Sequence, residues 1–150
     1  MTKLGINIDH VATLRNARGE GHPNIIEIAK IVKSSGADSI TVHLREDRRH
    51  IKDQDLKILC NKKYLINMEM AANIKMMEIA IKNKPKFVCS VPEKRNEVTT
   101  EGGLNLNKNY NLIKKIVTKL NNKNIRTSLF IDPSIRNIIL SKKIGAKCVD

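Results

Sequence analysis

Five times in succession the sequence passes through one cycle: a short β-branched run of alternating polarity, a turn, then a segment of helical period. The strand-like runs cover residues 4–9, 39–44, 64–70, 86–91 and 126–132. Helical patterns cover residues 23–36, 53–59, 73–83, 109–122 and 134–143, starting from Pro23, Asp53 and Ser134 among others. Gly145-Ala146-Lys147-Cys148-Val149-Asp150 then repeats the helix stop and strand start of Gly36-Ala37-Asp38-Ser39-Ile40. Regular alternation of this kind predicts parallel strands covered by helices. Residues 11–22, rich in Arg, Asn and Gly, read as a loop, and residues 92–106, with Gly102-Gly103, as a second and longer one.

Two architectures accommodate the alternation, the open doubly wound sheet and the (β/α)8 barrel. The strand faces separate them. In an open sheet both faces of a central strand lie under helices and are apolar. Here one face of each of the first three strands is polar at its exit: Asn7 and Asp9, His43 and Arg45, Asn67 and Glu69. Under a helix each unpaired group would cost about 1–3 kcal/mol. At the mouth of a barrel the same groups converge on one wet cavity, where barrel enzymes keep their chemistry. The first strand also lacks the glycine fingerprint of a dinucleotide site. The expectation is a parallel (β/α)8 TIM barrel, with residues 1–150 forming the N-terminal part of its single domain: five βα units and the start of strand six.

Composition narrows the function. A chain of 150 residues with 41% hydrophobic and 29% charged residues suits one globular core. No apolar run approaches the ~18 residues of a membrane span, and the N-terminus leaves no room for a signal peptide before the first strand. Cys60, Cys89 and Cys148 are odd in number and widely spaced, which argues against a disulfide framework or zinc site and for the cytoplasm. The formal charge of +13 suits either nucleic acid or anionic small molecules. Lysines are scattered, whereas Arg15, Arg18, Arg45, Arg48, Arg49 and Arg95 follow strand-like runs, which suggests small phosphorylated ligands more than a polynucleotide track. Two Phe, two Tyr and no Trp leave little for base stacking. Neither nucleic acid nor a membrane is an expected partner.

The chemistry centres on residues 41–50. Thr41, His43 and Arg45 share one face of the second strand, and Glu69 occupies the same face of the third. A histidine with a carboxylate tuned by a dry site suits stepwise proton transfer. The plainer alternatives are an edge strand with one wet face, or a Glu69 that only pairs with Arg45. Clustering of Asn7, Asp9 and His10 nearby favours the catalytic reading. No HxH or HExxH spacing supports a metal, and no His–Asp arrangement activates Ser90 or the cysteines.

Four stretches resemble one enzyme family. Asn7-Ile8-Asp9-His10-Val11-Ala12-Thr13-Leu14-Arg15-Asn16-Ala17-Arg18-Gly19 is similar to the opening of pyridoxine 5′-phosphate synthases. So are Thr41-Val42-His43-Leu44-Arg45-Glu46-Asp47-Arg48-Arg49-His50-Ile51, Asn67-Met68-Glu69-Met70, and Val91-Pro92-Glu93-Lys94-Arg95-Asn96-Glu97-Val98-Thr99-Thr100-Glu101-Gly102-Gly103. The resemblance implies a (β/α)8 barrel of transferase class in vitamin B6 biosynthesis. Such an enzyme condenses 1-deoxy-D-xylulose 5-phosphate with 3-amino-2-oxopropyl phosphate, releasing phosphate and water, with no metal or organic cofactor. It further implies His43 and Glu69 as acid/base residues, and Asn7 and Arg18 as holding the aminoketone phosphate. Asp9, His10, Arg45, His50 and Thr99 would hold the deoxyxylulose phosphate. A homo-oligomer, an octamer in the family, is implied as well.

Two departures accompany it. The family has a further catalytic histidine and a phosphate-binding glycine segment in the last third of the barrel, which these residues do not supply. Its glutamate at the end of strand six, implicated in transition-state stabilisation, is replaced here by the shorter Asp150. The 150 residues alone are therefore expected to be an inactive and poorly folded part of a longer barrel.

Overall fold

The computed structural model describes residues 2–93 and 102–150. Within them six parallel strands form one sheet in sequential order: β1 (Gly5–Asn7), β2 (Ser39–His43), β3 (Ile66–Ala71), β4 (Phe87–Val91), β5 (Arg126–Leu129) and β6 (Cys148–Val149). Each strand pairs with the next, in registers such as Asn7↔Thr41, His43↔Glu69, Glu69↔Cys89 and Ser128↔Cys148. An unbroken parallel order without a switch point is barrel topology, so the chain forms a partial (β/α)8 barrel, as its polar strand faces required.

Parallel pairing in register keeps partners on the same face. Ile40, Val42, Ile66, Met68, Met70 and Val88 form the outer face, all fully buried under the helices. They pack against Ala29 of α2 (Ile25–Ser34), Leu56 and Leu59 of α3 (Asp53–Asn61), and Met76, Met77 and Ala80 of α4 (Ile74–Asn83). A smaller cluster joins Ile113 and Val117 of α5 (Tyr110–Asn121) to Leu129 and to Ile144 of α6 (Ile135–Ile144). The inner face carries Asn7, Thr41, His43, Asn67, Glu69, Cys89 and Ser128, the polar set that an open sheet could not have buried cheaply.

The main correction is α1 (Asp9–Arg18), a helix where residues 11–22 read as a loop and where residue 9 read as the end of a strand. Only Asp9 and Ala12 of this helix are buried, so it shows no apolar stripe. Its start is set instead by the Asn7 side chain, whose Oδ1 accepts from the Asp9 N–H at 2.8 Å. Gly19 ends it in the left-handed conformation at φ 69°. The other helix starts shift by a residue or two. Helix α2 begins at Ile25 rather than Pro23, with Asn24 capping it by accepting from the N–H groups of Ile26 and Glu27. Asp53 is the first residue of α3, and Asp55 closes that start by accepting from the Lys52 N–H at 2.9 Å. The fifth strand stops at Leu129 rather than Asp132. Beyond it, Gly103 comes so close that a Cβ there would lie 2.2 Å from the Asp132 nitrogen.

Candidate active site

The β2–β3 register sets His43 beside Glu69, both at strand exits on the inner face. The imidazole Nδ1 lies 3.9 Å from Glu69 Oε2. The His43 side chain is 9% exposed and that of Glu69 29%, so the pair sits at the edge of the protein interior with access from the mouth. Burial pushes the Glu69 carboxyl above the ordinary carboxylate range. His43 opposes that rise, while the negative charges of Asp9 and Asp150 add to it. A carboxyl raised in this way takes up and releases protons nearer neutrality than a surface one.

Asn7 and Asp9 form a brace for this pair. Asn7 Nδ2 donates to Asp9 Oδ2 at 2.9 Å, and Asp9 Oδ1 accepts from the backbone N–H of His43 at 2.8 Å. A bend between β1 and α1 thus holds the exit of β2 by its main chain. Asp9, His43 and Glu69 each bring one ligand-type atom within 4.8 Å of the others, and could together hold a cation. The hydrogen bonds already made by both Asp9 oxygens make bracing the better supported use.

The other nitrogen of His43 meets a group that the sequence did not bring out. Nε2 lies 2.8 Å from Glu93 Oε1, and Glu93 Oε2 accepts from the Glu46 N–H at 3.1 Å. Burial pushes the Glu93 carboxyl up, but the hydrogen bonds from His43 and Glu46 and the charges of His43 and Arg45 outweigh it, and the group lies below its ordinary value. The available signal was a carboxylate placed two residues beyond Val91, the last residue of a strand.

The remaining implied residues divide. His50 is half-buried, its Nδ1 2.6 Å from Thr13 Oγ1 of α1. Burial lowers its pKa, Asp9 opposing and Arg45, His43 and Arg49 reinforcing the fall. Arg45 is buried at 4% exposure, with Nε 3.4 Å from Asp47 Oδ1. Burial of Asp47 is overcome by hydrogen bonds from Arg49 and Arg45, which hold its carboxyl at about 2. His10 and Arg18 are exposed on α1, Arg18 pairing with Glu20 at 3.4 Å. Asp150 follows β6, its N–H donating to the Leu129 carbonyl at 3.0 Å, and its charge reaches Glu69. Thr99 and Arg95 lie outside the described residues.

Arginines at strand exits proved to have structural partners. Arg15 is bound to Asp55, Arg48 to Asp53 and to the Arg45 carbonyl, and Arg49 to Asp47. Below the His43–Glu69 pair the inner face holds a cavity of about 380 Å³ lined by Asn67, Phe87, Arg126, Ser128 and Asp150 among others. Neither His43 nor Glu69 lines it, and Lys3, Asp38, Leu65, Phe87 and Arg126 in its wall stand at or before strand starts, so it lies toward the opposite end of the sheet from the pair. Among the described residues no helix is long and apolar enough to cross a membrane.

Comparison with known proteins decides the family. The model of the family "Pyridoxal phosphate biosynthesis protein PdxJ" matches residues 4–150. The chain belongs to this family. It is 56% identical over 151 residues to the pyridoxine 5′-phosphate synthase of Pelagibacter ubique (strain HTCC1062), covering 100% of this chain and 63% of that protein. It is 53% identical over 148 residues to the enzyme of the same name from Ehrlichia chaffeensis (strain ATCC CRL-10679 / Arkansas), covering 98% and 62%. The chain thus spans less than two thirds of the length of these PdxJ relatives. Among solved structures it is similar to a 4-hydroxy-2-oxoglutarate aldolase, with TM-score 0.61 and 11% identity over 97% of this chain and 56% of that one. An L-ribulose 3-epimerase gives TM-score 0.60 and 8% identity over 99% and 59%. At such identities these two speak for the fold alone.

Proposed function

We propose that the complete protein is a pyridoxine 5′-phosphate synthase. It condenses 1-deoxy-D-xylulose 5-phosphate with 3-amino-2-oxopropyl phosphate, closing the pyridine ring with loss of phosphate and water. The observation that carries this reading is the His43–Glu69 pair, 3.9 Å apart at the mouth of a barrel in a chain of the PdxJ family. Imine formation, dehydration and ring closure all need protons moved at carbon and oxygen, and an imidazole beside a carboxyl raised by burial supplies groups able to give and take them.

In this reading Asn7 and Arg18 contact the aminoketone phosphate, and His10, Arg45, His50 and Thr99 contact the deoxyxylulose phosphate. Asp9 serves both as ligand and as brace of the β2 exit. Asp150 contributes negative charge on the side of the site facing Glu69. The reaction runs without metal or organic cofactor, in the cytoplasm, in a homo-oligomer.

Incubation of the full-length protein with the two phosphates tests the proposal directly. The expected result is stoichiometric pyridoxine 5′-phosphate and inorganic phosphate. A protein that forms neither, yet is stabilised against heat by duplex DNA in a strongly salt-dependent way, would instead be a polyanion binder.

A further inference from the structure

We infer that Glu93 is a positioning residue for His43: it holds a proton on Nε2 and leaves Nδ1 as the nitrogen that exchanges protons on the Glu69 side. The inference rests on the proposed function only where turnover is concerned. Glu93 sits just past β4, reaches over β3 to the exit of β2, and its side chain is 5% exposed. Burying a carboxylate to that extent is costly unless its oxygens are satisfied. Both are: Oε1 faces His43 Nε2 at 2.8 Å and Oε2 accepts from the Glu46 N–H at 3.1 Å.

The chemistry of the two partners fixes the direction. An ionised carboxylate only accepts hydrogen bonds, so the ring nitrogen facing it must carry the hydrogen. A neutral His43 then has its lone pair on Nδ1, the nitrogen 3.9 Å from Glu69 Oε2. When His43 is protonated both nitrogens donate and the Nε2 contact is unchanged. The proton that comes and goes is therefore the one on Nδ1. The Asp9 bond to the His43 N–H fixes the backbone of the same residue, so ring and main chain are held from opposite directions.

A carboxamide cannot do the same work. Glu93 receives two donors, and the single oxygen of Gln can serve one of them. If it serves Glu46, the amide NH2 turns toward Nε2 and forces the hydrogen onto Nδ1. If it serves His43, the Glu46 N–H loses its partner.

Long-range proton–nitrogen correlation spectra of the full-length protein, with 15N-labelled histidine and the His43 signals assigned by their loss in His43→Gln, read the tautomer directly. The wild type is expected to show His43 with hydrogen on Nε2 whenever the ring is neutral; hydrogen on Nδ1 would overturn the inference. Glu93→Gln is expected to move the hydrogen wholly or partly to Nδ1 and to lower kcat on the order of 10²–10⁴-fold with KM little changed. A Glu93→Gln protein with the wild-type tautomer and wild-type turnover would also overturn it. Should that variant melt without cooperativity, the wild-type spectrum alone decides. Absence of turnover in the wild type would remove the proposed function while leaving the tautomer result standing.

Discussion

Arg15 of α1 grips Asp55 of α3 through two parallel hydrogen bonds, 2.7 Å from Nη1 to Oδ1 and 2.9 Å from Nη2 to Oδ2. Both side chains are nearly buried, at 12% and 14% exposure. The pair ties the first helix, which has little apolar surface of its own, to the packed layer outside the sheet. Arg15→Ala leaves the Asp55 carboxylate with the Lys52 N–H but without its cation, and the expected loss is about 3 kcal/mol in denaturant melts of the full-length protein. Arg15→Ala/Asp55→Ala should recover part of that loss. Strictly additive single and double variants would show that the two do not act together.

Substitution His43→Gln removes the titrating ring while keeping a polar side chain of similar reach. Turnover of the two phosphates is expected to fall about 10²–10⁴-fold, the usual worth of a positioned acid/base group. Steady-state kinetics checks it, and a variant with unchanged turnover takes His43 out of the mechanism.

Glu69 links activity to pH-dependent stability. Its folded-state pKa is raised, chiefly by burial. A raised carboxylate contributes stability below its unfolded pKa, and that contribution is lost as pH rises through the folded value. At neutral pH the ionised form therefore burdens the fold. Glu69→Gln should melt higher than wild type at pH 7, with the gap closing as pH falls into the ordinary carboxylate range, while turnover drops. Thermal melts across pH 4 to 8, with kinetics on the same samples, test both halves; a variant that is less stable at pH 7 contradicts the first.

His50 has the opposite sense. Burial depresses its folded pKa, so its contribution is present above the unfolded value near 6.5 and lost as pH falls through the folded one. His50→Gln should flatten the decline in stability between about pH 6.5 and 5. Melts of the two proteins over that range give the comparison, and parallel pH profiles would refute the assignment.

Gly103 tests the backbone contact after β5. A methyl at this position would sit 2.2 Å from the Asp132 nitrogen and 2.5 Å from the Ile131 carbonyl carbon. The loop is held there by the Gly103 N–H to Asp132 Oδ1 at 2.8 Å and by the Leu104 N–H to the Phe130 carbonyl at 2.9 Å. Gly103→Ala must push main chain from main chain, and about 1–3 kcal/mol of destabilisation is expected in a chemical melt. Wild-type stability in this variant would mean that the loop packs elsewhere.

The barrel was legible because strand side chains alternate with a period of two. His43 and Glu69 needed only the correct strand assignment to land on one face, and they are register partners. Helix α1 was hidden because nothing in its pattern reflects what holds it. Asn7 at its start, Thr13 to His50 and Arg15 to Asp55 are contacts across up to 40 residues, and periodicity registers none of them. Arginine positions did not show that Arg15, Arg48 and Arg49 also pair with carboxylates of the protein itself, since those partners too come from the folded chain. Glu93 was out of reach for the same reason: its partner lies 50 residues away, and its role exists only once β2 and β4 are brought together.

The tie between Asp9 and residue 43 runs to the main-chain N–H and not to the imidazole. Every amino acid except proline offers that N–H, so the hold of Asp9 on the β2 exit survives a change of side chain at position 43. The hold on Glu93 does not, because its buried Oε1 faces the imidazole itself. Position 43 is thus anchored twice, once by a bond indifferent to which residue stands there and once by a bond that only a ring or amide donor can replace.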